Sequence, residues 1–221
     1  MTPVSDSRKQ YLDAFSRCLE GSVRSSATAL ACVAERWSLI VHSTMHLNGR
    51  PWLGGAVLED ARHKLWLLLR GHSAGWSLDA EAVFEACPHA DDDGGLFWHF
   101  ATAGAWQCIV DALQLLGKGH SDGSTCGALA VDAGFTAIRL AACWVEFQEV
   151  REYNEDEATH QAILRSRFFL EEMRFFEELA GFLTGEHGDS SAAAAQMFVN
   201  SRRWSCDDFL LPGFWRCDSS V

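Results

Sequence analysis

Apolar positions recur at three- and four-residue steps along almost the whole chain, which is the period of amphipathic helices. Sustained apolar/polar alternation is missing, and no Asn-Gly or Asp-Gly lies between β-branched runs, so no hairpins are predicted. A first helix is expected over 6–19, with Ser5 as a candidate cap. A second is expected over 26–47, with Leu30, Val33, Trp37, Ile40 and Leu47 on one face. Asn48-Gly49-Arg50-Pro51 should stop it, because Gly suits the carboxyl-terminal cap and Pro cannot continue the helix. A third helix follows over 56–70, and a short one over 78–86 after Ser77.

Downstream, 96–116 is apolar on most sides through Phe97, Phe100, Trp106, Ile109, Val110 and Leu113, which places it at the centre of a bundle. A loop at 117–123 leads into a helix over 125–152, whose apolar face reads Ala128, Val131, Phe135, Ile138, Ala142 and Val145. Asn154 is expected to cap one long helix over 155–184. Its inner face carries Phe169, Met173, Phe176 and Leu183. Its outer stripe, Arg167, Glu171, Arg174 and Glu178, has the alternating charge of a solvated face. An Ala-rich helix over 190–200 precedes a tail holding Trp204, Phe209, Leu210, Leu211, Phe214 and Trp215. Neither a repeat nor a long linker divides the chain. The prediction is a single all-α bundle of about seven or eight helices. Residues 1–184 form the bundle domain, and 185–221 a short helix and aromatic-rich tail packed on the bundle or on a partner.

The chain has 221 residues, of which 48% are hydrophobic and 22% charged, which suits one packed domain and argues against disorder. The longest apolar runs are core-sized, so no membrane span is expected. The start, Met1-Thr2-Pro3-Val4-Ser5-Asp6, lacks the basic and apolar regions of a secretory signal, so the expected location is cytoplasmic. None of the eight cysteines forms a C-x-x-C pair, and Cys32, Cys108 and Cys143 sit inside apolar helical patterns. Reduced, buried thiols are therefore expected. The net charge of −12 argues against nucleic acid and anionic membranes as partners, and is compatible with a basic protein.

Several constellations bear on chemistry. His42 and His46, one helical turn apart, share a face with Glu35, and Glu59 with His63 could oppose them. The regular Glu-x-x-His motifs of di-metal bundles are missing, so the expectation is structural or surface histidines, with no metal and no cofactor. Asp91, Asp92 and Asp93 are consecutive rather than alternating as in a calcium loop, and read better as helix-capping charge. No nucleophile elbow, P-loop or dinucleotide fingerprint is present, so no catalytic residue is assigned. The most informative cluster is Glu146, Glu149, Glu152, Glu155, Asp156 and Glu157, six acids with Arg151 as the only base among them. Glu146, Glu149 and Glu152 are three apart and partly line up, which costs helix stability by a few tenths of a kcal/mol per pair (~0.2–0.5). A solvated helix end, a surface for a basic partner and a divalent-metal site all remain open for this cluster. The metal reading needs a second acidic pair facing it, for which Glu171-Glu172 and Glu177-Glu178 are the candidates.

Three stretches carry a resemblance to a known family: Ala31-Cys32-Val33-Ala34-Glu35-Arg36, Phe84-Glu85-Ala86-Cys87-Pro88-His89-Ala90-Asp91-Asp92, and the spacing onward through the apolar helix and the loop at 117–123. Over 27–179 the chain resembles the YjaG-like bacterial proteins of unknown function. That resemblance implies an all-helical cytoplasmic fold and no particular activity. The chain departs from the family at Trp37-Ser38-Leu39, where a Pro-Asn-Tyr-like element is usual, and it extends beyond Thr184.

The function expected from all this is a non-enzymatic protein-binding module, most concretely an immunity protein that neutralises a basic bacterial toxin through the acidic face. The alternatives are a metal-dependent all-α nucleotide hydrolase, or a regulatory or oligomeric scaffold. Homo-oligomerisation stays open.

Overall fold

The computed structural model describes residues 4–48, 55–72, 97–118, 157–184 and 192–202, together with Val83, Glu85, Ala128, Leu129, Thr136, Ala137, Leu140, Ala141 and Trp204. Seven helices are found among the described residues, and no strand. They are α1 (Val4–Cys18), α2 (Val23–Asn48), α3 (Gly55–Leu69), α4 (Phe97–Lys118), α5 (Glu157–Arg165), α6 (Arg167–Thr184) and α7 (Ala192–Ser201). The fold is an all-α bundle. Among the described residues no helix is long and apolar enough to cross a membrane.

The ends of these helices follow local chemistry. Ser22 caps α2: its Oγ accepts from the Ser25 amide at 3.2 Å, which starts the helix earlier than expected from 26–47. Ser5, the candidate cap of the first helix, lies inside α1 instead. Helix α3 closes in a Schellman motif. The His72 amide bonds to the Leu67 carbonyl and the Gly71 amide to that of Leu68, both at 3.0 Å, with Gly71 at φ 82°. Arg24 also donates to the Leu69 carbonyl there, joining the start of α2 to the end of α3.

The long helix expected over 155–184 is broken. Ser166 separates α5 from α6, and its Oγ accepts from the Phe169 amide at 3.1 Å. A mid-pattern Ser can offer the backbone this alternative to continued helix, so an amino-terminal cap for α6 wins over continuity.

Helix α2 lies at the centre of the bundle, touching α1, α3, α4, α6 and α7. Every described side chain from 25 to 38 is buried, polar ones included. The central position predicted for the fifth helical segment is therefore shared: α4 packs along α2, burying Ala105, Trp106, Ile109 and Ala112. Their close approach depends on Gly104. A Cβ there would lie 2.8 Å from Trp37 Cζ3 and would collide with Thr136 Cγ2. On the other side α1 packs on α6, with the Tyr11 ring edge-on to Phe169 at 4.8 Å and Phe15 edge-on to Phe176 at 5.3 Å. Each large side chain buried in this way contributes about 1.5–3 kcal/mol.

Leu129, Ala137, Leu140 and Ala141 are helical and buried, whereas Ala128 is exposed. Val131, Phe135, Ile138, Ala142 and Val145 of the expected face lie outside the described residues. The polar groups of α2 are mostly satisfied locally: Ser26 donates to the Leu19 carbonyl, Thr28 to that of Arg24 and Ser38 to that of Glu35.

Candidate functional site

Glu172 lies on the face of α6 that also carries Phe168, Phe169, Phe175 and Phe176, and it is completely buried. A carboxylate so placed needs donors, and three meet it. Arg36 Nε donates to Oε1 at 2.5 Å, Trp204 Nε1 to the same oxygen at 3.0 Å, and Trp37 Nε1 to Oε2 at 3.1 Å. Two of these donors come from α2 and the third from beyond α7. A single anion therefore ties together segments remote in sequence.

Aromatic rings enclose the cation as well. The Arg36 guanidinium lies 4.5 Å from the centroid of Phe175 and 5.0 Å from that of Trp204, and its Nη1 donates to the Arg202 carbonyl. Trp204 stacks parallel to Phe168 at 5.2 Å. Nearby, the Tyr11 hydroxyl is buried without a hydrogen-bond partner among the described residues. Burial, and secondarily the Glu172 charge, hold its phenol well above the ordinary range against the opposing Arg36 charge.

Above this junction opens a pocket of about 250 Å³, lined by Arg36, Arg167, Glu171, Arg174, Phe175, Glu178, Ser201, Arg202 and Trp204. The stripe expected to be a plain solvated face is thus one wall of a pocket, with Arg36, Trp204 and the end of α7 opposite. Glu171 and Glu178 are only partly exposed there. Arg174 Nη1 donates to both Glu171 oxygens at 3.3 and 3.4 Å, Arg202 pairs with Glu178, and Arg167 lies 5.7 Å from the Trp204 centroid.

The residues weighed for metal chemistry fall as follows. Glu35 is buried and paired with Arg62, whose Nη2 donates to Glu59 at 2.6 Å. One guanidinium thus takes both carboxylates of the constellation weighed for metal, and His63 is exposed. Burial works against the Arg62 charge, but the two carboxylates outweigh it and raise its pKa. His42 and His46 lie on α2 with side chains outside the described residues, as do Asp91, Asp92 and Asp93 altogether. Among the described residues no group of three or more potential ligands comes together.

The second acidic pair required by the hydrolase alternative is engaged by arginine throughout. Glu171 meets Arg174, Glu172 meets Arg36, Glu177 meets Arg17 at 3.8 Å, and Glu178 meets Arg202. Of the acidic face itself, Glu146, Glu149, Glu152, Glu155 and Asp156 lie outside the described residues. Glu157 opens α5, is exposed, and accepts from Gln161 at 2.9 Å.

In sequence Glu172 groups with the acidic pairs of its helix, and Arg36 has no role beyond the family resemblance. One signal was available. Glu172 stands three or four residues from Phe168, Phe169, Phe175 and Phe176, an acid inside an apolar stripe. The cysteines described, Cys18, Cys32 and Cys108, are buried, and burial pushes the Cys18 thiol up to about 12.

Comparison of the chain with family models, with curated proteins and with solved structures finds no match.

Proposed function

We propose that this chain is a non-enzymatic protein-binding module of the cytoplasm that meets a basic protein through Glu146, Glu149, Glu152, Glu155, Asp156 and Glu157. Its most concrete form is an immunity protein that covers the phosphate-binding surface of a toxin acting on nucleic acid. The distribution of charge carries the reading. The chain carries a net charge of −12, and the 146–157 run alone, with six acids and Arg151, accounts for a net −5 of it. Acids such as Glu172 and Glu35 are each paired with an arginine, whereas the 146–157 run holds six acids and one base, Arg151. Such a concentration of one sign of charge steers encounter with a basic partner.

The hydrolase alternative has less support, because Glu172 of its candidate second pair is buried and held by Arg36, Trp37 and Trp204. Co-purification with the product of an adjacent gene tests the proposal. Capture by the wild-type chain and its loss in the Glu149→Lys, Glu152→Lys, Glu155→Lys variant is the expected result. Capture that is unchanged in the variant overturns it. Magnesium-dependent nucleotide hydrolysis abolished by the same substitutions would put the enzyme in its place.

A further inference from the structure

Four of the eleven described basic side chains, Arg36, Arg167, Arg174 and Arg202, line one open pocket, in a chain whose net charge is −12. Only Glu171 and Glu178 share that lining as acids. Glu172 lies buried beneath it and is already neutralised by Arg36. In the remaining wall Arg174 pairs with Glu171 and Arg202 with Glu178, and Arg167 lies over the Trp204 ring.

The pairings within it are unequal. Arg36 is locked by Glu172, the Arg202 carbonyl and two aromatic rings. Arg174 and Glu171, by contrast, meet at 3.3 Å with side chains 62% and 34% exposed, a solvent-screened pair of small net worth. Arg174 can exchange that carboxylate for a better-placed anion at little cost. Arg167 and Arg174 are seven residues apart on α6 and so share a face, while Arg202 reaches the pocket from the end of α7. Guanidinium forks from two elements thus converge on one space, and such forks match the oxygens of phosphate and carboxylate. Phe175 and Trp204 supply apolar lining beside them.

We propose that this pocket binds the oxyanion group, phosphate or carboxylate, of a small ligand, with Arg167, Arg174 and Arg202 as donors and Phe175 and Trp204 against its apolar part. The volume of about 250 Å³ suits a fragment-sized ligand rather than a nucleoside triphosphate. The proposal does not depend on the acidic face.

Calorimetric titration of the full chain at constant ionic strength tests it, with inorganic phosphate and citrate as separate probes. Saturable binding of at least one probe near one site per chain is expected, and which probe binds identifies the source of the oxyanion. The Arg167→Ala, Arg174→Ala variant should weaken that binding by at least about tenfold, as the loss of charge-assisted hydrogen bonds predicts. Both side chains are exposed, so the fold should survive, and the melting curve of the variant verifies this. Arg70→Ala, which removes an exposed charge at the end of α3, should leave binding unchanged. Failure of both probes to saturate, equal affinity in the double variant, or an equal loss in Arg70→Ala would each overturn the proposal.

Discussion

Arg36 and Glu172 meet at 2.5 Å with side chains 4% and 0% exposed, an ion pair closed off from water between α2 and α6. The desolvation of both ions is offset only because Trp37 and Trp204 supply further donors and rings enclose the cation. Removing one partner leaves the other charged and buried. Glu172→Ala should therefore lower unfolding stability by about 3–5 kcal/mol in urea titrations. The double replacement Arg36→Met, Glu172→Leu should cost clearly less than the sum of the single changes. Additive costs would mean that the two residues act independently.

Trp204 extends the same junction past α7. It is buried, stacked on Phe168 and bonded to Glu172. Trp204→Ala should cost about 3–5 kcal/mol, the range for a large aromatic in a core, with some further loss from the unmet carboxylate oxygen. Truncation after Asn200 should be at least as harmful. A truncated chain with the full-length melting temperature would show that Trp204 is not anchored. Phe209, Leu210, Leu211, Phe214 and Trp215 lie outside the described residues.

Much of the architecture was legible from periodicity, and its failures have specific causes. The spans of α1, α3, α4 and α7 come within a few residues of those expected, because the apolar spacing there is regular. The break at Ser166 was hidden because the apolar pattern runs through it, and only the serine's capping bond reveals the stop. The burial of α2 on all sides was hidden because it includes polar residues, Ser25, Ser26, Thr28, Glu35, Arg36 and Ser38. Most of these polar groups find partners within the fold, such as the Leu19 carbonyl for Ser26 and Arg62 for Glu35, and periodicity cannot register such pairing. The pocket was illegible for a related reason. One of its walls is a recognisable charged stripe, but the other comes from Arg36 and from the chain after α7.

Gly104 makes a separate prediction. Alanine normally improves a helix interior by about 0.5–1 kcal/mol relative to glycine. Here the added methyl would press on Trp37 and Thr136, so Gly104→Ala should instead destabilise by about 1–3 kcal/mol. A raised urea midpoint for this variant would contradict the close α2–α4 contact.

The buried acids of the core predict an alkaline limit to stability. Burial raises the Cys18 thiol from an ordinary 9.0 to about 12 and holds Cys32 and Tyr11 well above their ordinary values. The folded state favours the neutral forms. That stabilisation is complete below pH 9 and is lost as pH rises towards the folded values. Urea midpoints should fall between pH 9 and 12, and Cys18→Ala should flatten part of the fall. Tyr11→Phe, which removes a hydroxyl without a partner, should be neutral or mildly stabilising at pH 7.

The function proposed above rests on the acidic run from Glu146 to Glu157 meeting a basic protein. Association rates with the captured partner, measured by stopped flow at two salt concentrations, test it most directly. Charges at an interface rim act mainly on encounter, and salt screens them. The wild-type rate should fall as salt rises, and the Glu149→Lys, Glu152→Lys, Glu155→Lys variant should associate more slowly with a weaker salt dependence while keeping its melting temperature. A variant that associates at the wild-type rate at both salt concentrations would show that the acidic run is only a solvated helix end.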